Sequence, residues 1–521
     1  MSHVDMTIPL AFRGKLLLLI FAMSGVSGLI YQSIWSHYLG LLLGHSSYAQ
    51  VLVLALFMGG MALGAWLASL RSDSLARPLR SYCYVELALG VFGVVFHSSY
   101  LLVSTWAYDT LYPLLDSGLP LDLARWSIAG LMILPQCVLL GTTFPLMSAG
   151  FIRWQPASSG NILAGLYFSN SIGASMGALA STFYLLPAVG LPGTVLTAGL
   201  LNMMIAIAVW PLSRSSQPSP GKHTSGSHQA NGNLPLFILL AACITGASSF
   251  MYEISWVRML SMVLGSTIHA FELMLATFIA GIAFGGLWLR TRADRLASPR
   301  RAAGYAQIAM GCMALSTLAM YNQSFSWLAD VMHALNRSSE SAYLIFNLAG
   351  TAISAIIMFP AAFFAGMTLP LLTLTLLKDG HGEASIGRAY AANTLGAIIG
   401  VIFAVGVALP LLGLRLTLWV AAGADIVLGA FLLANVGMSS ATPRSTLSRA
   451  GVTTIAAGLA ALFLTLNHTH FDRLLMSSSV FRFGNVDGLG SSEREVLFHK
   501  DGRTATVALV EAKSEGLRSI L

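Results

Sequence analysis

The sequence predicts an all-α polytopic membrane protein: two parallel six-helix repeats, a thirteenth apolar segment of minimal length, and a short C-terminal β-hairpin. Three observations carry that prediction. Of 521 residues, 56% are hydrophobic and only 9% charged, with a mean hydropathy of +0.74; soluble domains carry about 25% charged residues, so a water-exposed fold is excluded. The apolar residues fall into runs of about 20, the length that crosses a bilayer core. The chain also repeats itself, most visibly in "GVSGLIYQSIWSHYLGLLLG" from Gly25 and "GASSFMYEISWVRMLSMVLG" from Gly246.

The apolar runs lie at 14–36, 48–70, 82–104, 126–150, 160–187, 191–212, 234–257, 268–290, 303–322, 343–376, 388–411, 414–437 and 450–466. The run containing Lys15 lacks a small-residue cleavage site and belongs to the repeated unit, so it reads as a retained span and not a signal peptide. "RSSQPSPGKHTSGSHQANGN" is too rich in Ser, Gly and Pro to fold and reads as a flexible linker. The organisation is therefore 1–212, first repeat; 213–233, linker; 234–437, second repeat; 438–470, loop and thirteenth segment; 471–521, a tail of different composition.

Basic residues alternate from connection to connection. The N-terminus and even-numbered connections hold about 17 Lys and Arg, among them Arg71, Arg77, Arg80, Arg290, Arg292, Arg295, Arg300 and Arg301. The odd-numbered connections before the last segment hold about four: Arg125, Arg258, Arg337 and Arg415. This asymmetry predicts a multi-pass protein with a cytoplasmic N-terminus. The net charge of +7 is absorbed by that rule, and no aromatic-plus-basic cluster points to nucleic acid.

Sliding the chain by about 221 residues aligns Gly25, Tyr31, Trp35, Leu39, Phe57, Gly60 and Gly64 with Gly246, Tyr252, Trp256, Leu260, Phe278, Gly281 and Gly285. Roughly 15 of 42 positions in that window are identical, more than shared greasiness explains. Further on, Pro135, Gly141, Thr143 and Pro145 match Pro360, Gly366, Thr368 and Pro370. Tyr167, Asn170, Gly173, Gly177, Pro187 and Gly190 match Tyr390, Asn393, Gly396, Gly400, Pro410 and Gly413. An even number of spans per copy gives both copies the same polarity, as in parallel-repeat transporters. The i, i+4 glycines let helix backbones approach closely, which is how helices associate in lipid.

Polar groups at membrane depth are expensive and mark a pathway or a paired site. Gln32 and Glu86 lie in the first and third spans, and their repeat counterparts are Glu253 and Gln307. Each half thus keeps one Glu and one Gln, able to share a hydrogen bond, and either a proton- or cation-linked site or plain interhelical bonding accounts for them. Tyr31 and Tyr252 adjoin these groups in the first and seventh spans; Asn170 and Asn393 sit centrally in the fifth and eleventh. All eight are candidate cavity-lining or solute-binding residues. Asp425 has no evident repeat partner. His37, His45, His97 and His269 read more readily as interfacial histidines than as a metal or haem site, and Cys83, Cys137, Cys243 and Cys312 as small buried hydrophobes. No metal, cofactor or catalytic residue is expected.

The tail "EVLFHKDGRTATVALVEA" alternates on both sides of Asp501-Gly502 and reads as a β-hairpin. An isolated hairpin is marginal in water, so the tail reads as the start of a truncated domain or as pairing with something else. The paired first-span segments, the P-x5-G-x-T-x-P segments and "VLFHKDGRTATVALVE" together resemble bacterial fused proteins in which a major-facilitator-like membrane half precedes a spermidine synthase-like (aminopropyltransferase-like) domain. The resemblance implies a bacterial inner-membrane location and that residues 471–521 open that domain. It also implies a transporter-like membrane protein, or a non-transporting anchor or assembly platform for the synthase-like domain, with a polyamine or another small polar or cationic solute as partner. The first repeat departs from the family in carrying Gln32 where Glu is usual. The Gly-rich nucleoside-binding segment and catalytic Asp are absent, so aminopropyl transfer is not assigned to these residues. A thirteenth segment that crosses would put the tail outside; one lying in the interface would leave it inside.

Overall fold

The structure, a computed structural model, describes residues 10–43, 46–115, 118–214, 236–335, 340–434, 448–486, 494–502, 506–512 and 517–520. The predicted linker falls almost wholly outside these residues. Among the described residues thirteen long helices account for most of the chain: α1 (Leu10–Leu43), α2 (Ser46–Arg71), α3 (Pro78–Trp106), α4 (Leu119–Trp154), α5 (Ser159–Ala180), α6 (Leu186–Arg214), α7 (Leu236–Leu264), α8 (Ile268–Arg290), α9 (Pro299–Ala334), α10 (Glu340–Lys378), α11 (Ala384–Phe403), α12 (Leu409–Ala434) and α13 (Arg449–His468). Most are long and apolar enough to cross a membrane, so this is a multi-pass membrane protein.

Two compact units form. One holds residues 1–236, 286–295 and 373–391; the other holds 237–285, 296–372 and 392–521. In the first, α1 packs on α5, α2 on α4, and α3 on α6. The reason is written in the glycines. A methyl group at Gly64 would land on the Val138 carbonyl of α4, and one at Gly173 on the Ala22 carbonyl of α1. In the second unit α7 meets α11, α8 meets α10, and α9 meets α12. There Gly285 abuts the Phe363 carbonyl and Gly396 the Cys243 carbonyl. The same positions of the two repeats thus make the same backbone-to-backbone contacts.

The repeats also share their irregularities. A five-residue π-helical stretch, Ser181–Leu185 in one and Ala404–Ala408 in the other, leads into Pro187 and Pro410. Prolines lack the N–H that would close an α-helical turn there. Gly190 (φ 65°) and Gly413 (φ 75°) then redirect the chain through a conformation that side chains disfavour.

The thirteenth segment, α13, is long and apolar enough to cross and runs alongside α9. Ser448, before α13, lies 3.4 Å from the Tyr305 hydroxyl near the start of α9. His470, just after it, accepts through its carbonyl from Asn322 Nδ2 at 2.9 Å. Tyr305 to Asn322 is about 25 Å of helix, most of a bilayer core of about 30 Å. Along the way the Trp419 indole of α12 donates to the Leu462 carbonyl (3.0 Å), and Arg415 to the Thr469 carbonyl (2.5 Å).

Beyond α13 come two short helices, α14 (Arg473–Met476) and α15 (Val480–Phe483), and a sheet. The expected hairpin is a three-stranded antiparallel sheet, β1 (Arg494–Asp501), β2 (Thr506–Ala512) and β3 (Leu517–Ile520), in the order β1-β2-β3. β3 has four residues, too few for alternation to announce it, yet Leu509 to Ala512 pair with it. The hairpin does pair with something else as well: Asp501 Oδ2 accepts from the Leu414 backbone N–H at the start of α12 (3.1 Å), and Arg258 of α7 donates to the Gly502 carbonyl (3.1 Å).

Candidate functional site

The first buried polar cluster joins α1, α3 and α6. Glu86 of α3 is fully buried and accepts from Ser24 Oγ of α1 (2.7 Å) and Asn202 Nδ2 of α6 (2.5 Å). Gly90, Gly93 and Gly199 bring α3 and α6 into backbone contact beside it. Tyr31, stacked on Trp35 at 5.2 Å, donates its hydroxyl to the Leu89 carbonyl (3.1 Å).

The second cluster repeats the first between α7, α9 and α12, with the acid moved. Gln307 of α9 stands where Glu86 stands; it accepts from Thr245 Oγ1 (2.7 Å) and donates through Nε2 to Asp425 Oδ1 (2.5 Å). Ser248 Oγ (2.5 Å) and the Tyr252 hydroxyl (2.6 Å) donate to the same carboxylate. Tyr252 stacks on Trp256 at 5.2 Å, as Tyr31 does on Trp35. Asp425 therefore has a repeat partner, Asn202. The signal was available, because the spacing that matches Pro187 to Pro410 and Gly190 to Gly413 also places Asn202 on Asp425. Each repeat keeps one carboxyl and one amide in this triple-helix junction, in exchanged positions.

The expected Glu–Gln bonds within each repeat do not form. Glu86 and Gln307 face Ser24 and Thr245, each eight residues before Gln32 or Glu253 on the same helix. Eight residues are about 12 Å of helix rise, beyond a side chain's reach. Gln32 is half-buried. Glu253 is 8% exposed, and no hydrogen bond to its side chain occurs among the described residues. Asn170 and Asn393 sit at equivalent crossings, their carbonyls against Gly25 and Gly246, and Asn393 Nδ2 donates to the Ala242 carbonyl (3.0 Å).

A charged cluster that sequence reading missed lies in the first unit at the arginine-rich end. Arg153, 3% exposed, holds Glu383 through Nε (3.0 Å) and Nη2 (2.8 Å) and also donates to the carbonyls of Leu75 (2.6 Å) and Ser72 (3.1 Å). Asp294 accepts from the backbone N–H groups of Gly160 (2.7 Å) and Asn161 (3.1 Å) at the start of α5, where the helix dipole favours an anion. Arg290 donates to Asn161 Oδ1 (3.0 Å). These partners are far apart in sequence, and nothing in the linear pattern pairs them.

No group of three or more His, Cys, Asp or Glu able to hold a metal occurs among the described residues. His37 bonds the Ser33 carbonyl (2.9 Å), His97 bonds the Tyr38 hydroxyl (2.8 Å), and His45 lies outside the described residues.

The fold is similar to that of solved structures of a major facilitator superfamily protein. The chain is similar to the proton:xylose symporter XylE bound to 6-bromo-6-deoxy-D-glucose, with a TM-score of 0.52 and 12% identity, over 82% of this chain and 96% of that one. A double-tryptophan mutant of XylE gives a TM-score of 0.51 and 13% identity, over 86% and 98%. No protein-family profile matches the sequence, and no curated protein matches it either.

Proposed function

We propose that this chain is an integral membrane transporter for a small polar or cationic solute such as a polyamine, with Glu253 as the proton- or cation-linked group. The single observation behind this is the contrast among its buried carboxyls. Glu86 and Asp425 are each surrounded by donors from two other helices, which makes them interhelical connectors. Glu253 of α7 is nearly as buried, at 8% exposed against 0% for the other two, and has no protein hydrogen-bond partner among the described residues. A carboxyl is kept at that depth at a cost of several kcal/mol, roughly 2.5–3.5 on insertion scales, which a bound proton or cation offsets. Asymmetric arginine loops support a cytoplasmic N-terminus, and a crossing α13 then sets the sheet outside.

The test is uptake of radiolabelled spermidine into liposomes by the purified protein and by Glu253→Gln. Loss of uptake with unchanged melting is the expected result. Absence of spermidine uptake by the wild type removes the polyamine, and full uptake by Glu253→Gln removes the role of the carboxyl. The rival, an anchor for a synthase-like domain, draws on the sheet docked at the end of the second repeat. It requires that no solute, spermidine included, be moved.

A further inference from the structure

In the second unit α13 lies along α9 and α12. Gly458 packs on Ile308 and Ile426, and the Trp419 indole reaches the Leu462 carbonyl. The spacing of the repeat matches Ile308, Trp419 and Ile426 to Leu87 of α3 and to Leu196 and Met203 of α6. Leu87 is 45% exposed where Ile308 is 1% exposed, and Leu196 is exposed too. The first unit thus leaves open the apolar face that the second covers with its own chain.

An open apolar strip is ordinary in a bilayer; what stands at its arginine-rich end is not. Arg80 of α3 and Arg214 of α6 flank one ring, their guanidinium carbons 5.4 and 5.3 Å from the centroid of Trp210. Tyr84 lies edge-on to Trp210 at 6.0 Å, and its hydroxyl accepts from Arg80 Nε at 3.2 Å. Among the described residues neither arginine meets a carboxylate, and neither the Nη nitrogens of Arg80 nor the Arg214 guanidinium makes a hydrogen bond. Both side chains reach the surface, Arg214 exposed and Arg80 half-buried. In the second repeat Tyr305 takes the place of Tyr84 and lies 3.4 Å from Ser448, where α13 begins. Leu433 and Gly437 take the places of Trp210 and Arg214 there. The indole and the second charge therefore belong to the repeat whose groove is open.

The two features discriminate among occupants. A soluble anion has no use for the apolar strip, and an uncharged acyl chain has none for two arginines. A zwitterionic headgroup brings its own ammonium against them. A phosphodiester with net negative charge takes charge-assisted bonds from guanidinium groups, and its chains stay in hydrocarbon. Leu87 and Met203 each lie seven residues, about 10 Å of helix, from Arg80 and Trp210, within an acyl chain's length of such a phosphate. We propose that the α3–α6 groove binds one anionic phospholipid, its phosphate on Arg80 and Arg214 beside Trp210 and an acyl chain along Leu87 and Met203 towards Leu196. The inference is independent of the transport reading and concerns a different site.

The experiment is native mass spectrometry of the full chain released from mild detergent, titrated with dioleoyl phosphatidylglycerol, and with dioleoyl phosphatidylcholine as the zwitterionic control. One phosphatidylglycerol should bind at least about tenfold tighter than phosphatidylcholine. Arg214→Gln should weaken phosphatidylglycerol about fivefold and Arg80→Gln/Arg214→Gln about 25-fold, with phosphatidylcholine unchanged. Arg214→Gln alone, at the exposed end of α6, decides the matter if the double variant is unstable. Arg292→Gln, which removes another exposed arginine, the one over Trp288, should change nothing. Glycerol 1-phosphate, a phosphate without acyl chains, should not displace the lipid at about 10 mM. The proposal is overturned if phosphatidylcholine binds equally, if Arg292→Gln weakens binding as much as Arg214→Gln, or if glycerol 1-phosphate displaces the lipid. It is also overturned if the lipid-free protein is a dimer that Arg214→Gln dissociates, since a second copy then fills the groove.

Discussion

Exchanging the chemistry of one repeat for that of the other tests the paired junctions directly. In the first repeat Ser24 and Asn202 both donate to Glu86. Asn202→Asp alone would set a second carboxyl 2.5 Å from the first and remove a donor, so the two groups must share one proton. A buried group left unsatisfied costs about 1–3 kcal/mol, and a charged one more, so we expect a loss of about 3 kcal/mol. Glu86→Gln alone should cost about 1 kcal/mol or less, because the Asn202 Oδ1 now lacking a partner can turn to meet the new amide. The double variant Glu86→Gln/Asn202→Asp rebuilds the Thr245–Gln307–Asp425 order on Ser24. Ser27, the counterpart of Ser248, stands ready as a further donor. It should fall within about 1 kcal/mol of wild type, a coupling of roughly 2–3 kcal/mol between the sites. Reversible unfolding in mixed micelles, followed by tryptophan fluorescence, measures all four proteins. If the double variant is as unstable as the sum of the singles, the junctions are not equivalent and the argument fails.

Other expectations are simpler. Gly173→Ala drives a methyl into the Ala22 carbonyl and should cost about 1–3 kcal/mol by overpacking. Gly406→Ala meets open space and should stabilise by about 0.4–1 kcal/mol, both read from melting in detergent. Glu383→Ala strands the buried Arg153 guanidinium and should lose about 3 kcal/mol, the lower end for a broken buried pair because Glu383 is 18% exposed. His499 is held below its unfolded value, so its contribution is complete above about pH 6.5 and is lost as pH falls below it. Melting temperature should drop between pH 7 and 5, with a shallower drop in His499→Gln.

Much of the fold was legible because lipid leaves the backbone few choices. Runs of about 20 apolar residues have to be helices, and the glycine pairs that mark the repeat are the points where α1 meets α5 and α2 meets α4. The candidate site was read less completely. Tyr31, Glu86, Tyr252 and Gln307 do gather at helix junctions, but with partners the sequence reading did not choose. Pairing Glu86 with Gln32 followed from their residue types, whereas rise along α1 puts Ser24 and not Gln32 opposite Glu86.

The sequence alone determined how many helices there are, that they form two copies, and which positions carry the few polar groups, since composition and repetition are one-dimensional properties. Which polar groups touch, that α13 packs along α9, that Arg153 clasps Glu383 and that a third strand completes the sheet were decided by tertiary structure. Each of those depends on distances between residues remote in the chain, and no local periodicity encodes such a distance.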